Sequence, residues 1–219
     1  MLIKTEYSVP ASILNSISLD CFQSMKTAIN QPTGNFFYDS WIIKEEFQNT
    51  AFDQILKTLP ENIGEARIIV LESEKCYTKH ADIDDRYHLN LYGDEGYLID
   101  LESNSMYHTS KDGCWYEMNA GILHSAASFG EHKRIQIVVR KLLIRNTLKD
   151  PVTVSITTSG NNPRYKFDNT LSPWLNMANK NNIITNFQHK LDTVTFDVER
   201  LHLSDLKNKC PIDFMFREF

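Results

Sequence analysis

The residues ARIIVL at positions 66–71 mark the point where the spacing of apolar residues changes from helical to strand-like. From here on, short segments rich in β-branched and aromatic residues alternate with glycine- and aspartate-containing turns, such as GDEG at 93–96 and KDG at 111–113. Such segments at near-regular spacing are typical of an all-β barrel or sandwich. Strands are expected over residues 66–71, 86–92, 96–101, 105–109, 114–118, 122–124 and 134–143, so the β core spans residues 66–143.

The segments on either side of this core predict mainly helices. Apolar residues including Ile13, Ile17 and Phe22 recur at helical spacing over residues 10–30, and a second helix is expected over 50–58. The aromatic-rich residues 35–43 predict a strand or an extended segment. A further strand is expected over 151–158, with short helices over 171–179 and 203–209. We expect a single domain with a helical N-terminal support (1–65), the β core (66–143) and a C-terminal extension packed on the core (144–219).

Charge and cysteine content limit the class of protein. The net charge is −5 and the pI is near 5.8, so a general nucleic-acid binder, which usually carries a basic face, is not expected. The four cysteines are far apart and lack CxxC spacing, which argues against a structural zinc site or a disulfide framework. No apolar run has the length that a membrane span needs. We therefore expect a cytoplasmic protein that binds neither nucleic acid nor membrane.

The segment KHAD at residues 79–82 places His80 and Asp82 two residues apart between two predicted strands, and His124 and Arg134 follow later. Two imidazoles and one carboxylate can occupy one face of an Fe(II) ion and leave the opposite positions open. A nearby arginine can hold a carboxylate-bearing co-substrate through a bidentate pair. Taken singly, each has an ordinary alternative: His-x-Asp arises by chance, His124 is a half-buried imidazole, and Arg134 is a surface salt-bridge partner. The four together favour a metal site.

Two predicted strands carry polar side chains on one face. In residues 86–91, alternation puts Arg86, His88 and Asn90 on one face and apolar side chains on the other. One interpretation is an edge strand with a solvated polar face. The other is a strand that turns its arginine and histidine into a barrel, where an anion must meet the buried cation. The strand that begins at Arg134 has the same pattern, and a nine-residue loop after His124 is expected to bring these two residues together at one end of a sheet.

The segment from about residue 71 to residue 139 resembles the double-stranded β-helix (jelly-roll, cupin-type) core of Fe(II)/2-oxoglutarate-dependent oxygenases. The most similar branch is that of the aspartyl/asparaginyl β-hydroxylases, which includes bacterial proline hydroxylases. The motifs that carry the resemblance are KHAD at 79–82, RYHLNL at 86–91, GCWYEMNAG at 113–121 followed by ILHS, and RIQIVVR at 134–140. The β-hydroxylase proper lacks the carboxylate that Asp82 supplies here, so the spacing favours the relatives that carry His-x-Asp.

This resemblance implies a mainly β fold with flanking helices and a set of site residues. His80, Asp82 and His124 are expected to hold Fe(II). Arg134 is expected to pair with the distal C5 carboxylate of 2-oxoglutarate, and His88 to contact its other end. Arg86 is expected to meet a carboxylate of the co-substrate or the substrate.

The resemblance also implies an activity. We expect a dioxygenase that uses O2 and 2-oxoglutarate to hydroxylate an amino-acid side chain, with release of succinate and CO2. The substrate is either a free amino acid such as proline or an aspartyl, asparaginyl or prolyl residue in a peptide. A non-catalytic cupin-like binding or sensor module is the alternative from another class. A metal-dependent cupin that works without 2-oxoglutarate is a third, which has no need for a buried carboxylate anchor such as Arg134.

Overall fold

The computed structural model describes residues 2–19, 22, 26–60, 62–158 and 161–219 of the chain. The fold is mainly β with antiparallel sheets and a few short helices. The strands, numbered in chain order, are β1 (Leu2–Ser8), β2 (Lys26–Ala28), β3 (Asn30–Pro32), β4 (Trp41–Ile43), β5 (Ile63–Leu71), β6 (Lys75–Cys76), β7 (Arg86–Tyr92), β8 (Gly96–Asp100), β9 (Ser105–His108), β10 (Cys114–Met118), β11 (His124–Ser128), β12 (Arg134–Lys141), β13 (Pro151–Thr157), β14 (Ile184–Lys190), β15 (Thr193–Glu199) and β16 (Met215–Glu218). The helices are α1 (Ala11–Leu14), α2 (Ala51–Leu56), α3 (Pro163–Lys166), α4 (Ser172–Lys180) and α5 (Leu203–Lys209), with a π-helical turn at Phe167–Leu171 and 3-10 turns at Glu45–Phe47 and Arg200–His202.

Two sheets line one cavity. The larger sheet has six strands in the order β1-β10-β7-β12-β5-β2, and the smaller has four in the order β6-β11-β8-β9. From β5 to β12 the chain passes repeatedly between the two sheets, because β5, β7, β10 and β12 belong to the larger one and the strands between them to the smaller. Leu98 and Ala126 of the smaller sheet pack against Met118 of the larger. The two sheets therefore face each other.

Alternating side chains explain how the larger sheet forms both a core and a cavity wall. One face of β7 and β12 contributes six apolar side chains to a hydrophobic cluster: Tyr87, Leu89, Leu91, Ile135, Ile137 and Val139. The opposite face lines the cavity with Arg86, His88, Arg134 and Gln136. The alternation predicted for both strands is confirmed. Because β7 lies between β10 and β12, the interpretation of β7 as a solvated edge strand is wrong.

The N-terminal residues form strands where the sequence predicted a helix. The helix predicted over residues 10–30 is confirmed only over Ala11–Leu14 (α1) and is wrong for the other described residues, where Lys26–Ala28 is a strand; residues 20, 21 and 23–25 lie outside the described residues. β2 pairs with β5, so backbone pairing to the larger sheet has overridden the helical pattern around Lys26, and β1, which precedes the predicted helix, pairs with β10. Residues 36–38 form a turn before β4. Helix α2 confirms the helix predicted over 50–58, and it buries Ile55 in the core.

The C-terminal residues form a third sheet, in the order β14-β15-β13-β16. The strand predicted over 151–158 and the helices predicted over 171–179 and 203–209 correspond to β13, α4 and α5. This sheet and α4 share a hydrophobic cluster with residues from earlier in the chain, among them Phe37, Ile83 and Leu143. None of the helices in the described ranges is both long and apolar enough to cross a lipid bilayer.

Candidate metal centre and its cavity

Backbone hydrogen bonds fix the spacing of the three predicted metal ligands. The His80 N–H donates to the His124 carbonyl and the His124 N–H donates to the His80 carbonyl, both at 2.9 Å. The Asp82 N–H donates to the Ala120 carbonyl at 2.8 Å, and the Ala81 N–H donates to the Asp168 carbonyl at 3.2 Å. The segment that carries His80 and Asp82 is therefore attached to the start of β11 and to the C-terminal region.

The side chains of these three residues converge. One donor atom from each of His80, Asp82 and His124 lies within 4.8 Å of the others. The Nε2 atom of His80 is 3.8 Å from an Asp82 carboxylate oxygen. Within the described part of the chain, this is the single group of three such residues close enough to share a metal ion.

Both histidines are held in the tautomer that leaves Nε2 free to bind. The Nδ1 atom of His80 is 2.9 Å from the Thr78 carbonyl, and that of His124 is 2.8 Å from the Ile122 carbonyl. A carbonyl oxygen only accepts hydrogen bonds, so each Nδ1 carries the proton and each Nε2 keeps its lone pair. Burial and the neighbouring His80 lower the pKa of His124 to about 4, so this imidazole is neutral at physiological pH.

Arg86 keeps Asp82 ionised. Its Nη2 atom lies 3.0 Å from an Asp82 oxygen and 2.9 Å from an oxygen of the buried Asp84. Burial by itself favours protonated Asp82, but the positive charges of Arg86 and, to a lesser degree, its other basic neighbours lower the pKa of Asp82 well below its usual range. An ionised carboxylate and two imidazoles that each present Nε2 form a donor set suited to a divalent metal ion.

The two other acidic residues of this segment, Asp84 and Asp85, form ion pairs away from the histidines. Asp84 pairs with Arg86 and with Arg140, whose Nη1 atom is 2.8 Å away. Asp85 pairs with Lys180 at 2.9 Å and accepts a hydrogen bond from the Ala120 N–H. Of the three neighbouring acidic residues, Asp82 is therefore the one that joins the histidines.

Arg134 lines the same cavity as the three candidate ligands, but it reaches the cavity from the other sheet. His124 is the first residue of β11 in the smaller sheet, and Arg134 is the first residue of β12 in the larger. The prediction that His124 ends a strand, and that the two residues meet at one end of a shared sheet, is wrong. The nine-residue loop instead carries the chain across from one sheet to the other, because β11 pairs with β6 and β8 rather than with β12.

Arg134 is a buried cation without a carboxylate partner among the described residues. Its guanidinium donates to the Tyr97 carbonyl at 3.2 Å. Burial lowers its pKa to about 10, which still leaves it charged at physiological pH. A buried charge that lacks a counter-ion is costly, so this site favours an anionic ligand.

His88 also faces the cavity, one strand away from Arg134. Its Nδ1 atom is 3.3 Å from the Gln136 side-chain oxygen, and its buried Nε2 atom has no hydrogen-bond partner in the part of the chain that the structure describes. Burial lowers the pKa of His88 to about 3, so the imidazole is neutral. The orphaned Nε2 atom marks a polar position that a ligand can satisfy.

The cavity has a volume of about 460 Å³ and is strongly basic. Seven lysine and arginine side chains line it: Lys26, Arg67, Lys79, Arg86, Arg134, Arg140 and Arg164. The carboxylates that line it within the described residues are Asp82 and Asp168. This excess of positive charge contrasts with the net charge of −5 on the whole chain.

Arg86 and Arg134 were predicted site residues, and Lys79 belongs to the quoted KHAD motif. The other four basic residues of the cavity were not predicted. Arg140 extends the alternation of Arg134 and Gln136 by four more residues, and Arg67 alternates with Ile68 in β5, so strand periodicity contained a signal for both. Lys26 and Arg164 carried no such signal, because they reach the cavity from β2 and α3 through long-range contacts.

Fold and site together define a mainly antiparallel β protein with a candidate metal centre in a basic cavity. No protein-family model matches the sequence, and the comparison with curated proteins gives no match. Among solved structures, the capsular polysaccharide assembling protein CapF from Staphylococcus aureus is similar, with 12% sequence identity and a TM-score of 0.30. The match covers 46% of this chain and 38% of CapF, and CapF with the inhibitor 3-isopropenyl-tropolone gives the same values. A likeness this weak carries no functional argument.

Proposed function

We propose that this chain is an Fe(II)- and 2-oxoglutarate-dependent dioxygenase that hydroxylates an amino-acid side chain, either in a free amino acid or within a peptide. The observation that carries the proposal is the convergence of His80, Asp82 and His124, whose donor atoms lie within 4.8 Å of one another. Two imidazoles and one carboxylate are the ligand set by which non-haem Fe(II) oxygenases leave positions open for co-substrate and O2.

The protonation states around these residues fit Fe(II). Each histidine offers an Nε2 lone pair while its Nδ1 proton is bound to a carbonyl, and Arg86 keeps Asp82 ionised. Bound Fe(II), together with 2-oxoglutarate and O2, supplies the oxidising power for C–H hydroxylation, with succinate and CO2 as the other products. The chain itself orients the metal ligands, and buried side chains such as His88, Arg134 and Gln136 line the cavity around them.

A further side chain supports a place for 2-oxoglutarate. Arg134 is a buried cation with no carboxylate partner among the described residues, which suits the distal carboxylate of the co-substrate. The neutral His88 donates from Nδ1 to the Gln136 side-chain oxygen, so its unpartnered Nε2 atom accepts hydrogen bonds and suits a donor group of a ligand rather than a carboxylate; the contact predicted between His88 and 2-oxoglutarate stays a prediction. The wider cavity is basic, which favours a dianion over a neutral ligand.

The path of the chain supports the same proposal. We infer that strands β5 to β12, which pass repeatedly between two facing antiparallel sheets, form a double-stranded β-helix of the cupin type. Cupin-type proteins include both enzymes and binding modules. An enzyme and a binding or sensor module with the same site therefore differ in turnover rather than in ligand binding.

The test begins with the purified protein mixed anaerobically with Fe(II) and 2-oxoglutarate. We expect a weak visible charge-transfer band, and succinate release when air is admitted together with a panel of free amino acids and short peptides. Asp82→Ala should lower iron affinity by more than about 100-fold while the protein stays folded. Asp85→Ala is the matched control, because Asp85 pairs with Lys180 and does not join the histidines.

Two results would count against the enzyme. A colourless anaerobic mixture that forms no succinate in air would exclude a 2-oxoglutarate oxygenase. Iron and 2-oxoglutarate binding without succinate formation on any substrate would favour the binding or sensor module instead. Unchanged iron affinity in Asp82→Ala would show that the ligand assignment is wrong.

A further inference from the structure

A second group of basic side chains lies away from Arg134 on the cavity wall. In the larger sheet, Arg67 of β5 is directly opposite Val138 of β12, which is four residues, or about 13 Å, along the strand from Arg134. Lys26 of β2 is directly opposite Ile69, and both line the cavity, so Lys26 and Arg67 approach from neighbouring strands on the same face. Arg164 of α3 reaches the same cavity from the C-terminal region.

These cations are close enough to affect one another. Burial, followed by the positive charge of Arg67, lowers the pKa of Lys26; the negative charges of Asp82 and Glu65 act in the opposite direction, and Arg164 adds a smaller lowering effect. The positively charged side chains of β2, β5 and α3 thus line the same part of the cavity. Like charges repel unless an anion lies among them, and the repulsion grows as water is excluded.

The ion pairs of Arg67 and Arg164 leave the cavity with an excess of positive charge, since seven basic side chains and two carboxylates line it among the described residues. Glu65 lies 3.4 Å from the Nε atom of Arg67 and 3.5 Å from the Nε atom of Arg140, so a single carboxylate is shared by two guanidinium groups. The Nε atom of Arg67 is buried and forms no hydrogen bond within the described residues. Asp168 pairs with Arg164 at 2.7 Å.

The position of this group relative to His88 is also defined. His88, Val138 and Arg67 lie in one row across β7, β12 and β5, so Arg67 is two strands, or about 10 Å, from His88. The group therefore lines the same cavity as the candidate metal centre without sharing the Arg134 position.

We propose that Lys26, Arg67 and Arg164 form a second anion-binding subsite, separate from Arg134, which holds a carboxylate or phosphate group of the substrate. The substrate is then an acidic molecule, and its anionic group is bound independently of the co-substrate. The identification of the bound molecule as a substrate rests on the function proposed above, whereas the binding of an anion at this position does not.

The test uses three small probes with the metal-free protein and isothermal calorimetry. N-acetyl-L-aspartic acid α-amide carries a side-chain carboxylate as its single anionic group, N-acetyl-O-phospho-L-serine amide carries a phosphate as its single anionic group, and N-acetyl-L-asparagine amide is neutral. We expect one or both of the anions to bind and the neutral probe not to bind. Which anion binds more tightly distinguishes a carboxylate-bearing substrate from a phosphate-bearing one.

Variants locate the binding position. Arg67→Met should weaken anion binding by about ten-fold or more, because a charge-assisted hydrogen bond is lost. The exposed control Arg200→Met should bind the anions as the wild type does, and Arg67→Met should weaken binding by the same factor when it is added to Arg134→Met. Lys26→Met, an edge-strand substitution, should weaken binding in the same direction and provides a second variant if Arg67→Met does not fold.

A parallel titration with Mn(II) and 2-oxoglutarate separates this proposal from the previous one. We expect Arg134→Met to lose 2-oxoglutarate binding and Arg67→Met to retain it. Equal binding of anionic and neutral probes, or wild-type anion affinity in both Arg67→Met and Lys26→Met, would overturn the second subsite. Absence of 2-oxoglutarate binding in the wild type, with the pattern of anion binding intact, would overturn only the proposed dioxygenase.

Discussion

The guanidinium of Arg86 lies 3.0 Å from Asp82 and 2.9 Å from Asp84, so one buried cation binds two carboxylates, of which one belongs to the candidate metal centre. The carboxylates that Arg86 meets are thus provided by the chain itself. Its Nε and Nη1 atoms are buried and lack hydrogen-bond partners among the described residues. A role for Arg86 toward a bound carboxylate therefore stays a prediction, while its effect on Asp82 follows from the distances.

Replacing Arg86 should affect both stability and metal affinity. Arg86→Met leaves Asp82 without its nearest cation, and breaking a buried ion pair costs about 3–5 kcal/mol. Urea unfolding should show this loss. The pKa of Asp82 should also rise, so that protons compete with the metal and Mn(II) affinity falls further as the pH is lowered. The control Arg145→Met, which removes an exposed ion pair with Asp39, should lower the free energy of unfolding by at most about 1 kcal/mol. A similarly small loss for Arg86→Met would contradict the role of Arg86 as the buried partner of Asp82.

The buried neutral His88 should make the protein less stable in acid. Its pKa is about 3 in the folded chain, against an ordinary value of 6.5. Between these values the unfolded chain binds a proton that the folded chain does not, so stability falls by about 1.4 kcal/mol for each unit that the pH is lowered. Unfolding measured from pH 7 to pH 4 should show a shallower pH dependence for His88→Gln than for the wild type. The exposed His132→Gln should behave as the wild type does.

Gly96 leaves room for the Arg134 side chain. A Cβ atom added at this position would overlap the Arg134 Cδ atom and lie 3.0 Å from its Cγ atom. Gly96→Ala should displace the guanidinium and weaken 2-oxoglutarate binding in the presence of Mn(II) by about ten-fold or more. Gly130→Ala is the control, because its added Cβ atom would meet the Glu95 side chain instead, at 3.1 Å. Equal affinities in the two variants would argue against Arg134 as the co-substrate anchor.

Asn176 of α4 should influence the metal centre from the C-terminal region. Its side-chain amide donates to the Ile83 carbonyl at 2.9 Å, one residue beyond Asp82. Asn176→Ala leaves this buried carbonyl without its donor, which should cost about 1–3 kcal/mol and weaken Mn(II) binding. Asn181→Ala, which removes an exposed bond within the same region, should change neither property. Wild-type Mn(II) affinity in Asn176→Ala would show that the ligand segment does not depend on α4.

The sequence correctly predicted features that depend on residues close together in the chain, such as strand boundaries and the two faces of a strand. The boundaries of β7 and β10 match the predicted strands, and the two faces of β7 and β12 are as expected, because alternation persists wherever one side of a strand meets a hydrophobic core. His80 and Asp82 were identified for a related reason. They are two residues apart, so the chain itself limits the distance between them.

The features that the sequence failed to predict are those that depend on pairing between strands far apart in the chain. The segment around Lys26 has helical spacing of apolar residues, yet it forms an edge strand because β5 offers unpaired backbone groups. The placement of His124 and Arg134 on different sheets depends on which strands pair, which the length of the loop between them does not encode. The approach of Arg164 likewise depends on long-range contacts, those between the C-terminal region and the segment that carries His80 and Asp82.

The reciprocal hydrogen bonds between the backbones of His80 and His124 have a consequence for how metal loading proceeds. The two ligand-bearing segments are already joined, so an incoming ion does not have to organise them and its binding energy is not spent on folding. Loading should therefore be rapid and reversible, with little change in shape. The amide protons of His80 and His124 should exchange slowly with solvent deuterium even when a chelator keeps the protein metal-free.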